Sequence, residues 1–275
     1  VNFTSAIESY LDALNNARLA FRSPSVALPF LAFGLLQCCL LSLLAFFTWP
    51  PAAWAMIPVV RALGGEPALH YPTHFVLLPS MYRMVYLPLV ATVGFAAWSF
   101  GIWSMVAHHE VGMRVPARSF RAALPAILVV GVVYVAVTVA LGQGLGALAA
   151  TTLEGIPARL ATLVAIAAIA ASQAFLLYAP IVLRLQGGGP LRALRNSARY
   201  ARRYFGATAM LVATVLLAHV PLDALIGKSD AIAARFHPEV VLQLLIASVL
   251  LEVVTAFVLF AGIVALALPE EGGLR

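Results

Sequence analysis

Residues 187–206 read GGGPLRALRNSARYARRYFG, and an apolar run of membrane character follows from Gly206. The three glycines and Pro190 end one helix and open another, because proline is tolerated in a first helical turn, where its missing N–H is not needed. From there Leu191, Leu194, Ala198, Ala201 and Phe205 recur at alternating spacings of three and four, which makes one apolar stripe. Arg192, Arg195, Arg199 and Arg202 follow the same rhythm one residue later, so they form a basic stripe roughly 100° round the helix. Such a helix lies in a membrane interface, with apolar side chains toward the acyl region and guanidinium groups toward phosphate. Tyr200 and Tyr204 suit the same headgroup zone. The stretch predicts a surface helix feeding a span.

The same junction occurs twice more. Arg18-Leu19-Ala20-Phe21-Arg22 and Arg118-Ser119-Phe120-Arg121 also join a basic, aromatic-bearing segment to long apolar stretches. In the first, Ile7, Leu11, Leu14 and Phe21 share a face; in the second, Arg114, Arg118 and Arg121 do. The pattern predicts three diverged repeats, 3–107, 114–183 and 189–268, each a surface amphipathic helix plus two spans. The phenylalanines Phe21, Phe120 and Phe205 hold equivalent places in them.

Composition agrees. Hydrophobic residues make up 63% and charged residues 10%, against roughly 25% charge in a soluble domain. Six stretches reach the ~20 residues that a helix needs to cross a hydrocarbon core: Ser25–Thr48, Met84–Ala107, Ala122–Ala147, Leu160–Leu183, Gly206–Val220 (extendable to Ile226) and Val240–Leu268. Backbone polar groups need partners inside lipid, so these are helices, and the fold class is an all-α integral membrane protein in a single domain, 1–275. Cys38 and Cys39, adjacent in the first span, point apart on a helix and read as packing residues.

With six spans both termini share a side. Arg18, Arg22, Arg114, Arg118, Arg121, Arg184, Arg192, Arg195, Arg199, Arg202, Arg203 and Arg275 fall on that side. Arg61, Arg83, Arg159, Lys228 and Arg235 fall on the other. Twelve against five makes the termini cytoplasmic by the positive-inside rule. The net charge of +6 is then a face charge, suited to anionic phospholipids as partners. Nucleic acid is a poor match, since the basic cluster is confined to one short helix between spans.

Chemistry is sparse. His70 and His74 stand four apart near Glu66, but Pro72 lies between them and a loop reading is preferred. His108-His109-Glu110 reads as a polar span end. No phosphate loop, nucleophile elbow or His-Glu-x-x-His motif occurs. The expectation is a non-enzyme with no catalytic residue, cofactor or metal. Glu252 is the exception, a carboxylate inside the sixth span at a cost of at least ~2.5 kcal/mol, and therefore a functional candidate. Gln143, Gln173 and Gln243 are the amides expected to bond it. Gly142 and Gly146 suggest a close helix contact, in the bundle or with another subunit. The proline-rich connection 49–83 is too apolar for a free loop and is expected on the outer leaflet or against a partner.

One resemblance follows from particular residues. Tyr178-Ala179-Pro180 ends the fourth span, Ala193-Leu194-Arg195-Asn196-Ser197 lies in the surface helix, and Arg202-Arg203-Tyr204-Phe205 enters the fifth span. This resembles the six-span bacterial membrane proteins that include the membrane domain of glycerophosphodiester phosphodiesterases. The likeness covers about 40 residues closely, and the catalytic domain of the larger members has no counterpart here. It implies a stand-alone bacterial inner-membrane domain. Two functions follow as expectations: an accessory, assembly or lipid-organising subunit among other membrane subunits, or a permease or lipid-handling channel with a path lined by Glu252.

Overall fold

A computed structural model of the chain describes residues 3–20, 24–111, 117–152 and 158–268, and among these no strand occurs. Twelve α-helices follow in order: α1 Phe3–Ala20, α2 Pro24–Ala45, α3 Pro50–Gly64, α4 Thr73–Leu89, α5 Phe95–Val111, α6 Ala117–Thr152, α7 Ala158–Leu176, α8 Ala179–Gln186, α9 Pro190–Arg203, α10 Phe205–Ile226, α11 Ser229–Arg235 and α12 Val240–Ala267. Six stretches of the described residues are long and apolar enough to cross a membrane: Val26–Ala45, Thr73–His108, Arg118–Gly144, Ala167–Gln186, Phe205–Ile226 and Val240–Ala267. The chain is an all-α, multi-pass membrane protein.

The span boundaries correct several expectations. The second span starts at Thr73 rather than Met84. Pro79, expected in the connection 49–83, and Pro88, expected in the second span, both lie inside α4, and a π-helical turn over Val90–Gly94 joins α4 to α5. Proline leaves a carbonyl without its donor, and a π turn is one way a helix absorbs such a fault. The fourth span is also interrupted: α7 stops at Leu176 and α8 starts at Ala179, one residue before Pro180. Both breaks thus lie within apolar stretches of membrane length. The second surface helix is not separate either, because Arg118 and Arg121 occupy the first turns of the long α6. Phe21, Arg22 and Arg114 lie outside the described residues.

Chain contacts divide the molecule into two compact units. The first takes in residues 1–30, 90–216 and 256–275. Its centre is aromatic: Phe30 meets Phe257 edge-on at 5.4 Å, and Trp98 lies 5.5 Å from Phe260. Glycine permits the tightest approach. A Cβ on Gly131 of α6 would strike the Ala91 carbonyl oxygen of the π turn and stand 2.8 Å from Phe95 Cβ. In lipid no hydrophobic force drives helices together, so contacts of this kind carry the association. Gly142 and Gly144 behave differently, since nothing lies within 4 Å of a Cβ built on either. The expected close contact is thus not made at Gly142 among the described residues.

The second unit takes in residues 31–89 and 217–255. Its core joins Leu41 and Leu44 of α2, Val60 of α3, Leu78 and Met81 of α4, and Val241, Leu245 and Val249 of α12. The connection 49–83 is thus helical, and it buries Val60, Ala68, Phe75, Leu78 and Met81 in its own chain's core. His74, expected in a loop, is buried in the first turn of α4, where Nδ1 donates to the Ala68 carbonyl at 2.8 Å. Glu66 pairs instead with Arg61 at 2.9 Å on the surface, and no metal-holding group of His, Cys, Asp or Glu occurs among the described residues.

Candidate functional site

The interrupted fourth span builds a corner that positions α9. Pro180 has no N–H to give the carbonyl four residues back, and the turn at Leu177–Tyr178 disturbs the ladder on either side. Ser197 of α9 makes good part of this loss. Its Oγ donates to the Phe175 carbonyl at 2.6 Å, and the residue is fully buried. Tyr178, also fully buried, shares a hydrogen bond with Thr208 of α10 at 2.7 Å and stacks on Tyr200 at 5.9 Å. Trp103 Nε1 of α5 donates to the Pro180 carbonyl at 3.0 Å, while the Arg184 guanidinium lies over the same indole. Asn196 Nδ2 donates to Gln186 Oε1 at 2.7 Å. Ser197 and Asn196 thus tie α9 to the interrupted span on both sides of its break.

Docking gives α9 three faces. Ala193, Asn196, Ser197 and Ala201 are buried against the rest of the first unit. Arg192, Arg195, Arg199 and Arg202 are all exposed. Leu191, expected on the inward apolar stripe, is 82% exposed, and Leu194 and Ala198 are half-buried. The small residues face inward because they allow close approach, and the larger ones are left outward. The same inversion holds in α1. There Ala6, Ala13 and Ala17 are buried, Gly206 and Gly262 admit the helix closely, and Leu11 is 56% exposed.

Glu252 belongs to the second unit and sits in a polar cluster. Tyr82 of α4 donates to Gln37 Oε1 of α2 at 2.5 Å, and the side chains of Gln37 and Tyr86 lie beside the Glu252 carboxyl. Gln37 is fully buried. Glu252 Oε1 and Gln37 Nε2 are both shut off from solvent without a hydrogen-bond partner. The amides expected beside Glu252 are elsewhere: Gln143 and Gln243 are exposed, and Gln173 donates to Thr138 at 3.4 Å. Sequence reasoning missed Gln37, although an amide halfway along an apolar run was the available signal. It missed Tyr82 because the span was started at Met84.

On the outward side of α2, Leu35, Cys38, Cys39, Phe46 and Trp49 line an open apolar groove of about 930 Å³. Cys38 lines this groove and also packs against the core of the second unit. No protein-family model matches the chain, and no curated protein or solved structure matches it either.

Proposed function

We propose that this chain is a non-catalytic, multi-pass protein of the bacterial inner membrane, with both termini cytoplasmic, that organises anionic phospholipid as an accessory or assembly subunit of a membrane complex. The observation that carries the reading is the three-faced α9. One face is docked, so the helix is held in place. The exposed Leu191 and the exposed Arg192, Arg195, Arg199 and Arg202 are then presented together. That combination suits the boundary between acyl chains and phosphates. A basic residue near an anionic surface contributes ~1 kcal/mol, so four of them retain lipid well above background. The resemblance to stand-alone relatives of the phosphodiesterase membrane domain supports the same reading. So does the threefold recurrence of basic-aromatic junctions, which would give such a protein several headgroup contacts.

The test replaces all four arginines with glutamine and measures phospholipid co-purifying with the folded protein, by class. Loss of anionic lipid, with neutral lipid unchanged, supports the reading. Unchanged anionic lipid, or a protein inserted in the opposite orientation with retention per molecule intact, makes the stripe a topology signal only.

A further inference from the structure

Glu252 lies about 18 Å along α12 from Val240, at 1.5 Å per residue, and is therefore deep in its span. Its surroundings suit an anion poorly. Tyr86 and Gln37 lie beside the carboxyl, yet Oε1 is shut off from solvent with no donor, and the facing amide Nε2 of Gln37 is equally unmatched. A buried carboxylate needs several donors to offset its lost hydration.

A set of ionisable groups leads away from this point within the same unit. One turn along α12, Thr255 meets His219 of α10, with 3.1 Å between Oγ1 and Nε2. The Thr255 proton goes to the Leu251 carbonyl at 2.8 Å, so Oγ1 accepts and Nε2–H donates. Nδ1 is therefore the nitrogen at which His219 takes up and releases a proton. Asp223, one turn further along α10, interacts electrostatically with both His219 and Arg83. Asp223 and Arg83 are exposed, and α10 ends three residues later at Ile226.

We propose that Glu252 is a proton-binding site, loaded and unloaded through His219 and Asp223 from the membrane face that carries α11. A proton taken up at His219 Nδ1 passes, carried by water, to the Glu252 carboxylate. The carboxylate becomes a neutral acid and the imidazole is restored; release runs the same steps backward. No other bond changes. Chains of carboxylates and histidines inside spans are a recurring way to move protons. Tyr82 and Tyr86 of α4 and Gln37 of α2 lie around the Glu252 carboxyl, and Thr255, the partner of His219, also meets the Glu252 backbone carbonyl at 3.2 Å. The proposal stands apart from the lipid-surface reading, since none of the α9 arginines enters it.

The experiment is infrared difference spectroscopy of the full chain reconstituted in phosphatidylcholine vesicles, recorded across a pH series. A carboxylic-acid carbonyl band should be present at low pH, disappear as pH rises, and be missing from Glu252→Gln. After a rapid pH jump, the band should form and decay several-fold more slowly in His219→Gln than in the wild type. If Glu252→Gln does not fold, the apolar carbodiimide DCCD, which modifies neutral carboxyls, serves on the wild type. Peptide mapping should then place the adduct on Glu252 at low pH and show its loss at high pH. A band or adduct that never arises from Glu252, or one that persists at every pH, overturns the proposal. An unchanged rate after the pH jump in His219→Gln overturns the route.

Discussion

Gly131→Ala tests whether the contact between α6 and the π turn holds the first unit together. The added methyl carbon would stand 2.8 Å from Phe95 Cβ and 3.0 Å from Phe95 Cγ, and closer still to the Ala91 carbonyl oxygen. Ordinary carbon contacts begin at roughly 3.5 Å, so the backbones must part by most of an ångström. The obstacle is main chain rather than a flexible side-chain end, so rotamer changes cannot relieve it. Overpacking of this kind costs about 1–3 kcal/mol, and the upper half of that range applies here. At about 2–4 °C per kcal/mol for a chain of this size, Tm should fall by roughly 5–10 °C. Gly142→Ala on the same helix is the control, because nothing lies within 4 Å of its new methyl. Alanine there removes the cost of glycine in a helix, about 0.5–1 kcal/mol, so Tm should stay or rise slightly. The assay is thermal unfolding in one detergent, followed by loss of the monodisperse peak in size-exclusion chromatography. Equal shifts in the two variants, or no shift in Gly131→Ala, would refute the packing argument.

Reporter fusions at Gly155 and Gly272, both outside the described residues, should give opposite signals, the second cytoplasmic; matching signals would contradict the six-span topology. For the corner, a double-mutant cycle of Tyr178→Phe and Thr208→Val should give a coupling of about 0.5–1.5 kcal/mol in unfolding titrations, as expected for a buried pair in a membrane protein. Zero coupling would mean that the 2.7 Å bond contributes nothing net.

The spans were legible because crossing lipid requires long apolar runs, and no other soluble or barrel pattern fits them. The inward faces were much less legible. In α9 the periodic leucines mark the outside and Ala193, Ser197 and Ala201 the inside; in α1 Leu11 faces out while Ala13 faces in. Rules from soluble proteins put the largest apolar residues inside, but lipid offers large residues an equally apolar surrounding, so closeness of approach decides instead. Prolines mislead in the same way: Pro79 suggests a loop, yet a helix that also carries Pro88 and runs into a π turn accommodates it. Glu252 was visible as a lone charge in its span. Its neighbours were not, since Gln37 and Tyr82 are 45 residues apart in the chain and only folding brings them together.

The corner at Tyr178 also carries a consequence for how the chain is made. The Phe175 carbonyl and the Tyr178 hydroxyl find partners in Ser197 and Thr208, which lie 22 and 30 residues later. At a synthesis rate of about 5–20 residues per second, the fourth span exists for one to several seconds before those partners can reach it. During that interval its polar groups need a substitute at the insertion machinery or at the bilayer edge. Biogenesis of this protein should therefore pause with the fourth span held near water, and its release into lipid should await the arrival of α9. A nascent chain truncated just after Gly189 should remain cross-linkable to the translocation machinery, whereas one extended past α10 should not.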